Sequence, residues 1–376
     1  MGGGAALKTL FEGVAVGGLE LANRMVMAPM IRGRADDDGV PGEAVATYYG
    51  QRASAGLIVT EGTYPSAIGR AYRYMAGLHS QAQVAAWREV TGAVHAAGGR
   101  IFVQLMHGGR ISHPELHGGE SPVAPSAVGA ARAVLDYEGR RDFPTPRALT
   151  TAEVAGTVGE FVAAARNAVR AGFDGVEVHG ANGYLLHQFL AENTNRRTDA
   201  YGGSVTRRIR LVVEVVEAVA AAIGPHRVGL RVSPGSVFND IAEGDSTALY
   251  GELLAALAPL GLAYLHTMEN GGRPLTRLLR ARWLGPLIVS PRAGQLVHPQ
   301  TGALSLPVAR QNADEVLTED LADLVAFGRA FLANPDLPHR LATGAPLNPL
   351  DPTTYYPGGH RGYTDYPFLA QPAGLR

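Results

Sequence analysis

The residues best suited to chemistry lie in one stretch, DGVEVHGANGYLLHQFLAENTNRRTDAYGGS. His179 closes a short apolar run, Asn182 follows three residues later and Tyr184 five residues later. If a helical turn starts there, His179 and Asn182 share a face and Tyr184 reaches the same space. Two side-chain donors could then hold one substrate oxygen while a phenol supplies a proton. Spacing alone equally allows His179 to close a strand end and Tyr184 to pack in a core. His187, Gln188 and Phe189 continue the segment and read as structural.

What the chain lacks narrows the chemistry further. It has no Cys, which removes a thiolate nucleophile, disulfides and cysteine-held metal clusters. Lys8 is the only lysine, so a Schiff-base or phosphate-loop lysine is not expected, and arginine does not act as a base. Proton chemistry therefore falls to His, Tyr and carboxylates. The formal charge of −1 argues against a nucleic-acid binder. The N-terminal MGGGAALKTLFEGVAVGG is too broken by Gly and Glu12 to be a signal peptide. No apolar run nears the ~18 residues of a membrane span, so a soluble, cytoplasmic protein is expected.

Eight short runs rich in Val, Ile and Leu must position these residues: Met25–Ala28, Leu57–Thr60, Ile101–Leu105, Gly175–Val178, Arg227–Val232, Leu262–Thr267, Leu287–Val289 and Leu324–Phe327. Most lack strict alternation, as strands buried on both faces do. Helical patterns lie between them at Gln83–Ala97, Ala152–Ala171 with Thr151 as N-cap, Thr206–Ala222 and Ser246–Ala258. Strands alternating with helices predict an α/β fold, a single (β/α)8 TIM barrel spanning residues 1–376. A doubly wound sheet is disfavoured, because no G-x-G-x-x-G joins a strand to a helix. Two connections are too long to be plain loops: 107–149 after the third strand and 290–318 after the seventh. Each is expected to hold a small hairpin or lid at the strand C-termini, where barrel enzymes build their sites. The tail 343–376, rich in Pro, Gly and Tyr, is expected to cover part of the barrel mouth.

The segment around His179 closely resembles the old yellow enzyme family of FMN-dependent ene reductases. The resemblance runs from Leu10 to Pro367. It includes NRMVMAPM, LIVTEGT, RIFVQLMHGGR, SPVAPSA, LRVSP, ADLVAFGRAFLANPDLPHRL and GGHRGYTDYP, in order. The family fold is also a (β/α)8 barrel. The resemblance implies non-covalent FMN, with NAD(P)H as co-substrate and a small activated alkene as substrate. Gln104 would bond the flavin pyrimidine edge, and Arg231 would place a fixed positive charge near flavin N1 and O2. Ala28, Pro29, Met30 and Gly62 would line the ring with backbone, while Gly328 and Arg329 would bind the FMN phosphate. His179 and Asn182 would bind the substrate's activating oxygen, and also the nicotinamide amide. Tyr184 would protonate the α-carbon after hydride reaches the β-carbon, in a ping-pong cycle.

Several positions depart from the family pattern. Ile31 stands where a hydrogen-bonding Thr or Cys usually faces flavin O4, which implies a flavin that is harder to reduce. The seventh strand runs into SPRAGQLVHPQTG without the usual Gly-Gly pair, leaving Gly294 and Arg292 as the expected substitutes. Met106 replaces a common Trp and would open the substrate pocket. Tyr356 is expected to contact substrate and Tyr355 to pack. His107, His113 and His117 sit at no regular ligand spacing, so no metal is expected. An ene reductase acting on enones, enals or nitroalkenes is the leading reading. A desaturase or isomerase on the same scaffold, and a flavin-depleted binding protein, are the alternatives. A homo-oligomer is compatible with all three.

Overall fold

The computed structural model describes residues 8–131, 133–136, 139–291, 306–356 and 358–369. Eight parallel strands close into a barrel in chain order. They are β1 (Met25–Met27), β2 (Leu57–Thr63), β3 (Ile101–Leu105), β4 (Gly175–Gly180), β5 (Val228–Val232), β6 (Tyr264–Met268), β7 (Leu287–Ser290) and β8 (Leu324–Phe327). All eight expected strands are present, with ends shifted by a few residues. Between them run α1 (Glu43–Gly50), α2 (Gln81–Ala96), α3 (Thr151–Arg170), α4 (Arg210–Ile223), α5 (Ser246–Leu257), α6 (Arg273–Arg282) and α7 (Leu306–Thr318).

Side chains alternate across a strand, and this period of two sorts the barrel into layers. Val26, Leu57, Val59, Phe102, Tyr264, Ile288 and Leu324 point inward as one apolar floor, packed with Val16 and Leu21. Those last two belong to an antiparallel N-terminal pair, Val14–Val16 with Leu19–Leu21. Glycines make room for the aromatic plugs. A Cβ on Gly175 would lie 2.4 Å from the Phe102 ring, and one on Gly229 2.3 Å from the Tyr264 ring. Two residues further along the same inward rows stand Gln104, Glu177, Arg231, His266 and Ser290. A polar layer therefore rests directly on the apolar floor. Register aligns Glu177 with Gln104, His179 with Arg231, and Arg231 with His266.

The outward rows pack against the helices in a larger cluster that includes Ile58, Val103, Val178, Leu230, Leu265 and Val325. Truncating any one of them to alanine costs about 2–5 kcal/mol in a core of this kind. Helix starts are specified locally. Thr150, rather than the expected Thr151, caps α3, because Thr150 and Glu153 form a reciprocal capping box. Ser80 and Gln83 do the same for α2. The expected helix over Thr206–Ala222 is divided into Val205–Arg208 and α4 on either side of Ile209.

The connection after β3 contains a short helical turn at Pro114–His117 and an antiparallel hairpin, Ala133–Asp136 with Gly139–Asp142. The one after β7 differs from expectation. Its second half is α7, so 306–318 is a regular barrel helix and not part of a lid. The tail is held at the barrel mouth by three arginines. Tyr363 stacks on Tyr48 at 4.2 Å, and the Arg32 guanidinium lies 5.1 Å from both ring centres. Arg34 lies over Tyr363, and Arg52 over Tyr48. Arg32 also donates to the carbonyls of Tyr355 and Gly362, while its backbone N–H donates to buried Glu61. Among the described residues no helix is long and apolar enough to cross a membrane.

Candidate active site

A cavity of about 330 Å³ opens at the C-terminal ends of β1, β5, β6, β7 and β8. Ala28, Pro29, Met30, Asn182, Arg231, Gly328 and Arg329, all singled out from the sequence, line it. Met268, Ser290, Pro291 and Asn312 complete the wall and were not foreseen. The small side chains of Ala28 and Ala326 at the ends of β1 and β8 leave this side open. Gly62, Gln104, Met106, His179 and Tyr184 are buried beside the cavity rather than lining it. Gly294 and Arg292 lie outside the described residues.

His179 is the penultimate residue of β4, 2% exposed, and its Nδ1 is buried with no partner among the described residues. Burial, reinforced by the charge of Arg231, holds the imidazole well below its ordinary pKa, so it is neutral. Arg231 is 5% exposed, and its Nε is likewise buried without a partner. Buried polar atoms are rarely left unpaired, so these two, on residues in register on neighbouring strands, suit a polar ligand.

The chain between His179 and Tyr184 does not form the helical turn the spacing allowed. The strand runs to Gly180, and Asn182 then takes a left-handed conformation at φ 56°, followed by Gly183 at 76°. Asparagine tolerates this region better than most residues. The Asn182 backbone is fixed at both ends: its N–H donates to Ser233 Oγ, and its carbonyl accepts from Asn239 Nδ2. His187 Nδ1 accepts from Gly183 N–H, and His187 Nε2 meets Glu243 at 2.7 Å. Gln188 bonds the Gly183 and Gly108 carbonyls with its amide nitrogen. His187 and Gln188 thus brace the turn that presents Asn182.

Tyr184 is 6% exposed, and its ring centre lies 5.4 Å from that of His179. Its hydroxyl pairs with Tyr72 at 3.0 Å. Burial is the main reason its pKa is pushed up to about 12, so the phenol stays protonated. Met106 packs with Tyr184, Met75 and Ile111, and it fills the space a side chain at Gly62 would need. Its replacement of a larger residue therefore does not open the cavity. Ile31 packs against the same cluster, and Tyr356, 55% exposed, lies near enough to Tyr184 to push its pKa upward. Tyr355 is partly buried against the main core. Among the described residues no group of His, Asp and Glu could hold a metal ion.

Glu177 and His266 escaped the sequence reading. Glu177 is fully buried, accepts from Gln104 Nε2 at 2.7 Å and meets His266 Nδ1 at 2.8 Å. A Glu within the run GVEVHG and a His within YLHTM were signals in themselves, because a buried parallel strand seldom holds either without a partner.

Residues 9–348 match the NADH:flavin oxidoreductase / NADH oxidase family. The chain is 41% identical over 374 residues to a probable flavin mononucleotide-dependent alkene reductase of Leishmania infantum, covering 97% of this chain and 98% of that one. It is similar to morphinone reductase solved in complex with tetrahydroNAD, at 45% identity and a TM-score of 0.89 over 98% of this chain and 99% of that one. An old yellow enzyme homologue from Zymomonas mobilis matches at 38% identity and a TM-score of 0.89, covering 96% and 100% of the two chains.

Proposed function

Because the chain belongs to the NADH:flavin oxidoreductase / NADH oxidase family, that of the old yellow enzymes, we propose that His179, Asn182 and Tyr184 act on an activated alkene in a ping-pong cycle. The chain is an FMN-dependent ene reductase that uses NAD(P)H. The observation that supports the proposed roles most is that two residues in register at the cavity, Arg231 and His179, each keep a buried nitrogen, Nε and Nδ1, without a partner among the described residues. Its volume falls within the usual ~300–1,000 Å³ of small-molecule sites.

The residues present fit FMN. Arg231 and Gln104 would hold the pyrimidine edge, Ala28, Pro29, Met30 and Gly62 the ring, and Gly328 and Arg329 the phosphate. Bound FMN supplies hydride transfer from NAD(P)H to the β-carbon of the alkene. Arg231 favours negative charge near the pyrimidine edge. Neutral His179 and the Asn182 amide donate to the carbonyl or nitro oxygen of the alkene, and these bonds strengthen as enolate charge builds there. The Tyr184 hydroxyl gives its proton to the α-carbon. Since the same His–Asn pair would hold nicotinamide and alkene, the two must alternate. Met106 shapes the wall behind Tyr184, and Tyr356 closes over the substrate from the tail. We read residues 1–376 as one FMN-binding domain, since the tail is pinned to the barrel mouth, and we place it in the cytoplasm, where NAD(P)H is at hand.

The test is the visible spectrum of the purified protein with FMN under anaerobic conditions. A flavin band that bleaches on adding NADPH and returns on adding an enone is the expected result. A bound flavin that is reduced but not reoxidised by enones or nitroalkenes would sink the proposed substrate class.

A further inference from the structure

Below the candidate site lies a buried chain of polar groups that the reaction itself does not consume. Ser290 Oγ is 3.1 Å from His266 Nε2, His266 Nδ1 is 2.8 Å from Glu177 Oε2, and Glu177 Oε1 accepts from Gln104 Nε2 at 2.7 Å. Glu177 and His266 are fully buried. The geometry fixes every donor. A carboxylate only accepts, so His266 must carry its proton on Nδ1, and Gln104 must turn its NH₂ downward. In the neutral imidazole Nε2 is then the acceptor, and the Ser290 hydroxyl donates to it. No side chain among the described residues pairs with the Gln104 carbonyl oxygen, which is left for the ligand side.

Charge points the same way. Glu177 lies close enough to Arg231 for each to favour the other's charged form. Burial pushes the Glu177 carboxyl upward, but His266, Arg231 and Gln104 together outweigh it and keep it ionised. His266 is held below its ordinary pKa, first by burial. Glu177 thus sets a negative charge beside the positive charge of Arg231.

We propose that Glu177, oriented by His266, is a positioning residue for the cofactor: it turns the Gln104 amide oxygen toward the flavin and offsets the charge of Arg231. This rests on the FMN reading above. The variant Glu177→Gln removes the offsetting charge, and Glu177→Asp keeps the charge but cannot reach Gln104 in the same way. Both are compared with wild-type holoenzyme for FMN dissociation constant, two-electron midpoint potential and melting temperature.

We expect E177Q to raise the ratio of reduced to oxidised FMN affinity about tenfold, an upward shift of about 30 mV for a two-electron couple. We expect E177D to weaken FMN binding at least tenfold with the potential unchanged. Folded variants with wild-type affinity and potential would overturn the proposal, leaving the pair a structural one. If neither variant folds, the Gln104 side-chain amide in ¹⁵N-labelled wild-type holoenzyme decides. A slowly exchanging amide that shifts on reduction supports the proposal, and a freely exchanging one overturns it. Failure of the wild type itself to bind FMN would instead refute the underlying cofactor reading.

Discussion

The hydroxyl oxygens of Tyr72 and Tyr184 lie 3.0 Å apart, and burial keeps Tyr184 protonated up to about pH 12. A phenol so placed can give a proton but not hold a negative charge for long, and its neighbour eases the loss. We expect Tyr184→Phe to slow alkene reduction by on the order of 10²–10⁴-fold, the usual share of a general acid. Flavin reduction by NADPH should be untouched. Tyr72→Phe should slow the same step by roughly fivefold, the size of one net hydrogen bond of ~1 kcal/mol. Stopped-flow measurement of the two half-reactions separates these effects. Equal loss in both halves would show that Tyr184 binds rather than donates.

Acid should weaken the fold before the carboxylates titrate. Burial holds His107 at about 3, and it keeps His179 well below its ordinary value. His79, His117 and His266 lean the same way, each chiefly through burial. The unfolded chain takes up protons near pH 6.5 where these folded residues do not. Their contribution is therefore complete above pH 6.5 and is lost as pH falls from there toward each folded value. We expect unfolding free energy to drop by about 1.4 kcal/mol per pH unit for each fully shifted histidine. Urea unfolding between pH 7.5 and 5 tests this, and His107→Gln should remove one share of the slope.

Ile31 packs against the cluster of Met106 and Tyr184 and has no hydrogen-bonding group. Ile31→Thr should raise the flavin midpoint potential by about 20 mV, corresponding to one hydrogen bond of ~1 kcal/mol in a two-electron couple. Potentiometric titration of both proteins checks it. No rise would mean that position 31 does not reach the cofactor.

The tail is anchored through Tyr363, stacked on Tyr48 beneath Arg32 and Arg34. Tyr363→Ala should cost about 3–5 kcal/mol of stability, as large aromatic truncations in cores do. It should also free Tyr356, raising KM for the alkene while changing kcat little. Denaturant titration and steady-state kinetics measure the two effects independently.

The barrel was legible because each strand carries its own signal, a short apolar run between turn residues, and barrel strands pair in chain order. The two capping boxes are equally local signals but went unread: Thr151 was expected in place of Thr150, and α2 was given no cap. The His179, Asn182 and Tyr184 cluster was visible as residue types, and the family motifs attached roles to them. The helix at 306–318 was missed, because Pro307 and a mixed polar sequence hide its periodicity among loop residues.

Sequence by itself determined where the eight strands run and that alternate residues in each share a face, but strands buried on both faces carry no alternation to say which set points inward. It could not decide which inward residues meet across the barrel. That required strand register, which sets Glu177 beside Gln104 and Arg231 beside both His179 and His266. Nor could it decide the left-handed turn at Asn182, which depends on Ser233 and Asn239 from a distant loop. Protonation was likewise decided by the tertiary structure: a histidine or tyrosine has an ordinary pKa in the chain, and burial beside Arg231 makes His179 neutral, while burial outweighs the opposing pull of Arg231 and keeps Tyr184 a persistent acid.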